Sequence, residues 1–320
     1  MELRQIGRTG ILVTPLAMGC WPIAGVTSVG VTDEQSLATL QAAVDSGLNF
    51  FDTAYCYGYD GESEKLIRRA LGHRRDELVI ATKGGIHYEN RVQLKDARPA
   101  TLERECEESL KRLGTDYVDL YYLHAPDPNT PLEESAGALK GLLQSGKVRS
   151  IGVSNLSLPQ LIAFQAVCPV AAYQPHYNML QREIEESQLP WCIENHVSAI
   201  VYWPLMKGLL AGKLPRDHLF DPKDGRPKYP MFSGDEWNKN QDFLDRLRPI
   251  AEECQSTVAQ LVLNWTIQRP GITVALCGAK RPDQIRDNAA ALTWKLTAEQ
   301  ISRIDQAIQD RGAAASRSAV

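Results

Sequence analysis

Residues 47–83 read GLNFFDTAYCYGYDGESEKLIRRALGHRRDELVIATK. Asp52 follows the short apolar run Leu48-Asn49-Phe50-Phe51, which has the composition of a buried strand. Tyr57 comes five residues later, in a loop opened by Gly58, and residues 62–71 carry a helical pattern. A second apolar run, Leu78-Val79-Ile80-Ala81, then delivers Lys83 at its C-terminal end. The stretch is a strand–helix–strand unit, and the strands of such a unit are parallel. A carboxylate, a phenol and an ammonium at or just beyond two consecutive strand ends can therefore converge. Buried together, they shift one another's pKa values.

Outward from this unit the same alternation continues. Upstream, 1–10 reads as a small hairpin turning at Gly7-Arg8-Thr9-Gly10, and 13–20 as a first strand. Thr32 and Gln35 form a capping box for a helix that Gly47 ends. Downstream, helices are expected at 101–113, 131–145, 157–167 and 185–195. Strands are expected up to His124, at 148–153, 171–174, 199–202 and 272–276. The segment 213–240 breaks the rhythm. It is rich in Pro, Gly and Asp, with Tyr229, Phe232 and Trp237 interleaved, and reads as a long inserted loop folding over a bound ligand. Helices at 242–255 and 257–269, one opened by Pro282 and one capped by Thr297 and Gln300 complete the chain, with 312–320 as a frayed tail.

Eight strands alternating with helices argue for a parallel α/β fold. Candidate functional residues end many different strands, and no GxGxxG opens the first strand–helix turn. Both points favour a (β/α)8 TIM barrel over a doubly wound sheet. The 320 residues then form one domain, 1–320, with an N-terminal hairpin and an extra C-terminal helix.

The bulk properties exclude other classes. A net charge of −4 with interspersed signs leaves no nucleic-acid or membrane footprint, and no apolar run approaches the roughly 20 residues that span a bilayer. MELRQIGRTG lacks a signal-peptide core. Seven cysteines, odd in number and never spaced as CxxC, suit reduced thiols in the cytoplasm rather than disulfides or zinc. His87, His176, His196 and His218 lack metal-ligand spacing, so no metal is expected.

Asp52-Thr53-Ala54, Tyr57-Gly58, Ser63-Glu64 and Thr82-Lys83, with His124 ending the next strand, together resemble the aldo-keto reductases. The segment from Tyr57 to Ser63 is about a residue longer than in most members. The resemblance implies an NADP(H)-dependent oxidoreductase acting on small carbonyl compounds or sugars. Tyr57 would be the proton donor, Lys83 would lower its pKa, Asp52 would hold Lys83, and His124 would orient the substrate oxygen. Each residue alone has an ordinary reading, and Lys83 alone could equally be a Schiff-base lysine. A non-enzymatic, cofactor-binding regulatory subunit is the alternative within the family.

Further cofactor contacts are implied by resemblance. Cys20 and Trp21 end strand one; Trp21 reads either as lining the substrate mouth or as core packing. Ser154, Asn155 and Gln174 match residues that bind the nicotinamide carboxamide. Tyr202 matches the ring that stacks on nicotinamide, within the run Tyr202-Trp203-Pro204-Leu205, where Trp203 replaces a small residue. Gly208, Leu210 and Lys213 lie in a run resembling the loop over the pyrophosphate. Gly278, Lys280, Arg281, Gln284, Asp287 and Asn288 resemble the adenosine site, with Lys280 and Arg281 aimed at a 2′-phosphate. The bland reading of that last run is a capped surface helix.

Overall fold

In the computed structural model, which describes residues 2–26 and 30–315, eight parallel strands close into a barrel in chain order. They are β1 (Leu16–Gly19), β2 (Phe50–Asp52), β3 (Val79–Gly84), β4 (Leu120–Leu123), β5 (Ile151–Ser154), β6 (Ala172–Gln174), β7 (Ser198–Val201) and β8 (Ile272–Gly278). Around them run α1 (Asp33–Asp45), α2 (Glu62–Leu71), α3 (Pro99–Leu113), α4 (Leu132–Gln144), α5 (Leu158–Val167), α6 (Gln188–Asn195), α7 (Gly234–Glu253), α8 (Val258–Gln268), α9 (Pro282–Ala289) and α10 (Ala298–Arg311). This is the (β/α)8 barrel expected from the functional residues at many strand ends and the missing GxGxxG.

Strand parity decides what faces the barrel axis. Side chains alternate between faces. Phe50, Val79, Ala81, Leu120, Tyr122, Ala172, Ile200, Val274 and Leu276 form the inner core, while Phe51, Ile80, Tyr121, Val153 and Val201 pack outward against the helices. Asp52 is two residues after Phe50, Lys83 two after Ala81 and Gln174 two after Ala172, so all three inherit the inward face at the C-terminal end. Gly152 makes room inside: a Cβ there would stand 2.3 Å from the Tyr122 ring.

The N-terminal hairpin plugs the other end. Its arms are Arg4–Gln5 and Leu12–Val13, paired antiparallel, and Ile6, Ile11 and Val13 join the inner core. The strand expected at 13–20 is therefore shorter: Val13 belongs to the hairpin, and the barrel strand starts only after Pro15, at Leu16. Met1 and 316–320, the start of the hairpin reading and the end of the tail reading, lie outside the described residues.

Two segments depart from the sequence reading. After β3 the chain forms an antiparallel hairpin, Ile86–Glu89 with Val92–Lys95, that was not anticipated. Its signal was present: Ile86, Tyr88, Val92 and Leu94 alternate around Asn90-Arg91, and both turn residues are left-handed, at φ 51 and 65. The expected loop 213–240 turns helical at Gly234, so 234–240 are the first turns of α7. Buried amides disguised that helix. Asn240 donates to Met231 O at 3.0 Å and Gln241 to Leu214 O at 3.3 Å, interrupting the apolar stripe. The remaining segment is packed, with Phe220, Phe232 and Trp237 edge to edge or tilted together and Trp237 Nε1 donating to Arg216 O at 2.8 Å.

Candidate active site

At the C-terminal end of the barrel, Lys83 Nζ donates to Asp52 Oδ1 at 2.5 Å and to Thr53 O at 2.7 Å, and lies 3.4 Å from the Tyr57 hydroxyl. Lys83 is fully buried. The second carboxylate oxygen of Asp52 accepts from Gln174 Nε2 at 2.8 Å. Burial raises the Asp52 carboxyl above its ordinary value, opposed by Lys83 and then by Gln174. Donors on both oxygens favour its charged form. A Schiff base at Lys83 has no opening here, because the amine is enclosed and committed to three oxygens.

The local turn explains why Tyr57 reaches this pair. Tyr57 N donates to Ala54 O at 2.9 Å, closing a tight turn directly after β2. Beneath it, Thr53 Oγ1 donates to Ser63 Oγ at 2.8 Å, and Thr82 Oγ1 donates to the buried Glu64 at 2.6 Å. The Ser63-Glu64 motif thus anchors α2 to β2 and β3 and takes no part in the chemistry. The Tyr57 phenol differs from expectation. Burial first, then Asp52, push it well above its ordinary value, so it stays protonated rather than being lowered by Lys83.

His124, one residue past β4, faces Tyr57 with ring centroids 6.0 Å apart. Burial and then Lys83 hold it well below the usual histidine range, so the ring is neutral. Its Nδ1 lies 3.6 Å from Cys56 Sγ. Trp21 stands edge-on to Tyr57, with centroids 5.0 Å apart, which puts it at the mouth. Cys20 is buried behind it.

Beside this group lie the residues expected to bind the carboxamide. Asn155, in the left-handed region at φ 61, donates to His124 O and to Ser154 Oγ, both at 3.0 Å, and accepts from the Tyr202 hydroxyl at 2.7 Å. Ser154 Oγ donates to Gln174 O at 2.7 Å. Gln174 is itself buried and commits its amide N–H to Asp52. Trp203 meets Tyr202 edge-on, and Lys207 Nζ sits between the Trp203 and Tyr229 rings at 4.2 and 4.4 Å from their centroids.

The outlying candidates do not all reach one place. Leu210 is core and Pro204 is buried, while Leu205 packs half-buried against the core. Asp287 accepts from Lys213 at 2.8 Å, Thr257 at 3.1 Å and Gln260 at 2.6 Å, so two expected ligands neutralise each other. Arg281 is exposed and paired with Asp283 at 3.0 Å. Gln284 accepts from Lys280 N at 2.8 Å, and Asn288 is buried. Lys280 is half-buried, and among the described residues it makes no salt bridge. Gly278 has no side chain to fill the gap beside Pro22, where a Cβ would stand 2.8 Å from that ring.

The family model described as "Aldo/keto reductase family" matches residues 15–309. The chain belongs to the aldo/keto reductase family. It is 36% identical over 313 residues to aldo-keto reductase YhdN of Bacillus subtilis (strain 168), covering 97% of this chain and 94% of that one. It is 32% identical over 313 residues to the NADH-specific methylglyoxal reductase of Escherichia coli (strain K12), covering 93% and 95%. The structure of the glycerol dehydrogenase AKR11B4 from Gluconobacter oxydans superposes with a TM-score of 0.90 at 34% identity, covering 97% and 95%. This aldo/keto reductase is therefore an oxidoreductase that uses a nicotinamide cofactor to reduce small carbonyl compounds or sugars, or to oxidise the corresponding alcohols. The regulatory-subunit alternative finds no support. No helix among the described residues is long and apolar enough to cross a membrane.

The residues present suit a nicotinamide dinucleotide. An aromatic ring and an amide, Tyr202 and Asn155, are joined by a hydrogen bond beside His124. A half-buried cation, Lys280, stands on the turn after β8, while Lys213 is held by Asp287.

Proposed function

We propose that the cofactor is NADP(H) and that Tyr57, Lys83, Asp52 and His124 perform the reduction. When bound, the cofactor supplies the hydride. Tyr57 delivers its proton to the carbonyl oxygen as the hydride arrives on carbon, giving the alcohol. The phenolate left behind lies beside the Lys83 ammonium, which stabilises it. Asp52 keeps that ammonium charged and stationary. Neutral His124 donates a hydrogen bond to the substrate oxygen and orients it. The observation that carries this reading is the 3.4 Å approach of Lys83 Nζ to the Tyr57 hydroxyl inside a buried ion pair.

The preference for the 2′-phosphate rests on Lys280. Half-buried and making no salt bridge among the described residues, it suits an incoming phosphate, whereas Arg281 is engaged by Asp283. Family membership alone does not choose the cofactor, since one relative is named NADH-specific. The seven cysteines are all free, which suits a reducing compartment, and we place the protein in the cytoplasm. The test is a panel of aldehydes, ketones, sugars and alcohols with each cofactor. Turnover with NADPH exceeding that with NADH is expected; no turnover with either would sink the proposal, and preference for NADH would sink the cofactor choice.

A further inference from the structure

Cys56 stands between two residues of the site. It precedes Tyr57 in the turn after β2, and its Sγ lies 3.6 Å from Nδ1 of His124. Backbone hydrogen bonds pin both sides of this contact. Tyr55 N donates to Lys83 O at 3.0 Å and Tyr57 N to Ala54 O at 2.9 Å, which fixes the turn on either side of Cys56. His124 N donates to Gly84 O at 2.9 Å, and its carbonyl accepts from Asn155 Nδ2 at 3.0 Å. The thiol and the imidazole are thus brought together by main chain that three strands hold in place.

The thiol is not placed for chemistry of its own. Cys56 is buried in a small apolar cluster with Ala54, Ile86 and Ala125. Burial pushes the thiol up to about 12, against the opposing pull of Lys83, so it keeps its proton. An enclosed, protonated thiol is inert as a nucleophile. It can still donate a hydrogen bond, and the side chains of Ala54, Ile86 and Ala125 offer it no acceptor.

The neutral His124 ring carries its proton on one nitrogen and a lone pair on the other. A proton on Nδ1 would point at sulfur, a weak acceptor. A proton on Nε2 leaves Nδ1 free to accept from S–H, and the imidazole nitrogen is the better acceptor of the two. Nε2 makes no hydrogen bond among the described residues, so a proton held there is left for a substrate.

We infer that Cys56 is a positioning residue, whose S–H, donated to Nδ1, sets the His124 tautomer with the proton on Nε2. Its use in the reaction rests on the reading of His124 as the donor to the substrate oxygen, which requires that proton. Nitrogen NMR of the His124 ring in the full chain reads the tautomer without turnover. The parent should show the proton on Nε2. Cys56→Ala removes the donor and should raise the ratio of the Nδ1–H to the Nε2–H form by about threefold to tenfold, the scale of one neutral hydrogen bond. Cys56→Ser retains a donor and should rescue the parent ratio. A proton on Nδ1 in the parent, or a ratio unchanged in Cys56→Ala, would overturn the inference. Turnover of His124→Phe tests the donor reading separately: an undiminished kcat there would remove His124 as the donor and leave the tautomer assignment standing.

Discussion

Lys83 and Asp52 form a closed pair 2.5 Å apart, with Lys83 inaccessible to solvent and Asp52 nearly so. Each is two residues beyond an inward-facing core residue of its own strand, so pleating alone aims both at the axis. A charge so placed depends on its partner. Removing one member leaves the other uncompensated, at a cost of about 3–5 kcal/mol. Asp52→Asn is expected to lower unfolding stability by that order in urea. A loss below about 1 kcal/mol would mean that Thr53 O alone satisfies the ammonium.

Tyr57 is the protonated group nearest the Lys83 ammonium at the mouth. Tyr57→Phe keeps the ring that meets Trp21 and His124 and removes the acid. Turnover should fall by about 10² to 10⁴, the usual worth of general acid catalysis, with cofactor affinity unchanged. Near-parental turnover in a folded variant would remove Tyr57 from the mechanism.

Glu105 on α3 is buried, accepting from Gly85 N at 2.7 Å and lying 2.8 Å from His87 Nδ1. It thereby ties the unanticipated hairpin to the end of β3. Burial raises its carboxyl from 4.5 to about 8. Between those values the folded state holds a proton that the unfolded chain releases, so this group's contribution to stability falls as pH rises from about 4.5 to 8. His124, depressed when folded, works oppositely: its contribution rises with pH around the unfolded histidine value. Comparison with Glu105→Gln isolates the first effect. The parent should lose stability relative to the variant across that window, measured by urea melts at several pH values. Parallel curves would refute the shift.

Gly152 offers a steric test. Its missing side chain accommodates the Tyr122 ring, whose centroid lies 5.7 Å from Lys83 Nζ. Gly152→Ala must displace that ring. A loss of about 1–3 kcal/mol is expected, as for other overpacked interiors, with a lower melting temperature. An unchanged melting temperature would show that β5 can shift away at little cost.

Much of this was legible in the chain. The apolar runs and the caps at Thr32 and Thr297 fall where the elements start, and 62–71 is the helix Glu62–Leu71. The departures have physical causes. The stripe of α7 was broken by Asn240 and Gln241, whose burial depends on carbonyls in a distant loop. The hairpin after β3 leaves a weak local signal, because its alternation is short and its turn lacks glycine.

What the sequence by itself determined is periodic and local. Spacing set which strand ends carry Asp52, Lys83 and His124, and pleating set the inward face of Asp52 and Lys83. Only the tertiary structure decided the pairings between distant residues: Gln174 on Asp52, Cys56 on His124, and Glu105 on His87. Backbone geometry repeats within an element and can be counted along the chain. Contacts across the barrel depend on strand stagger at closure and on loop paths, which no local period encodes.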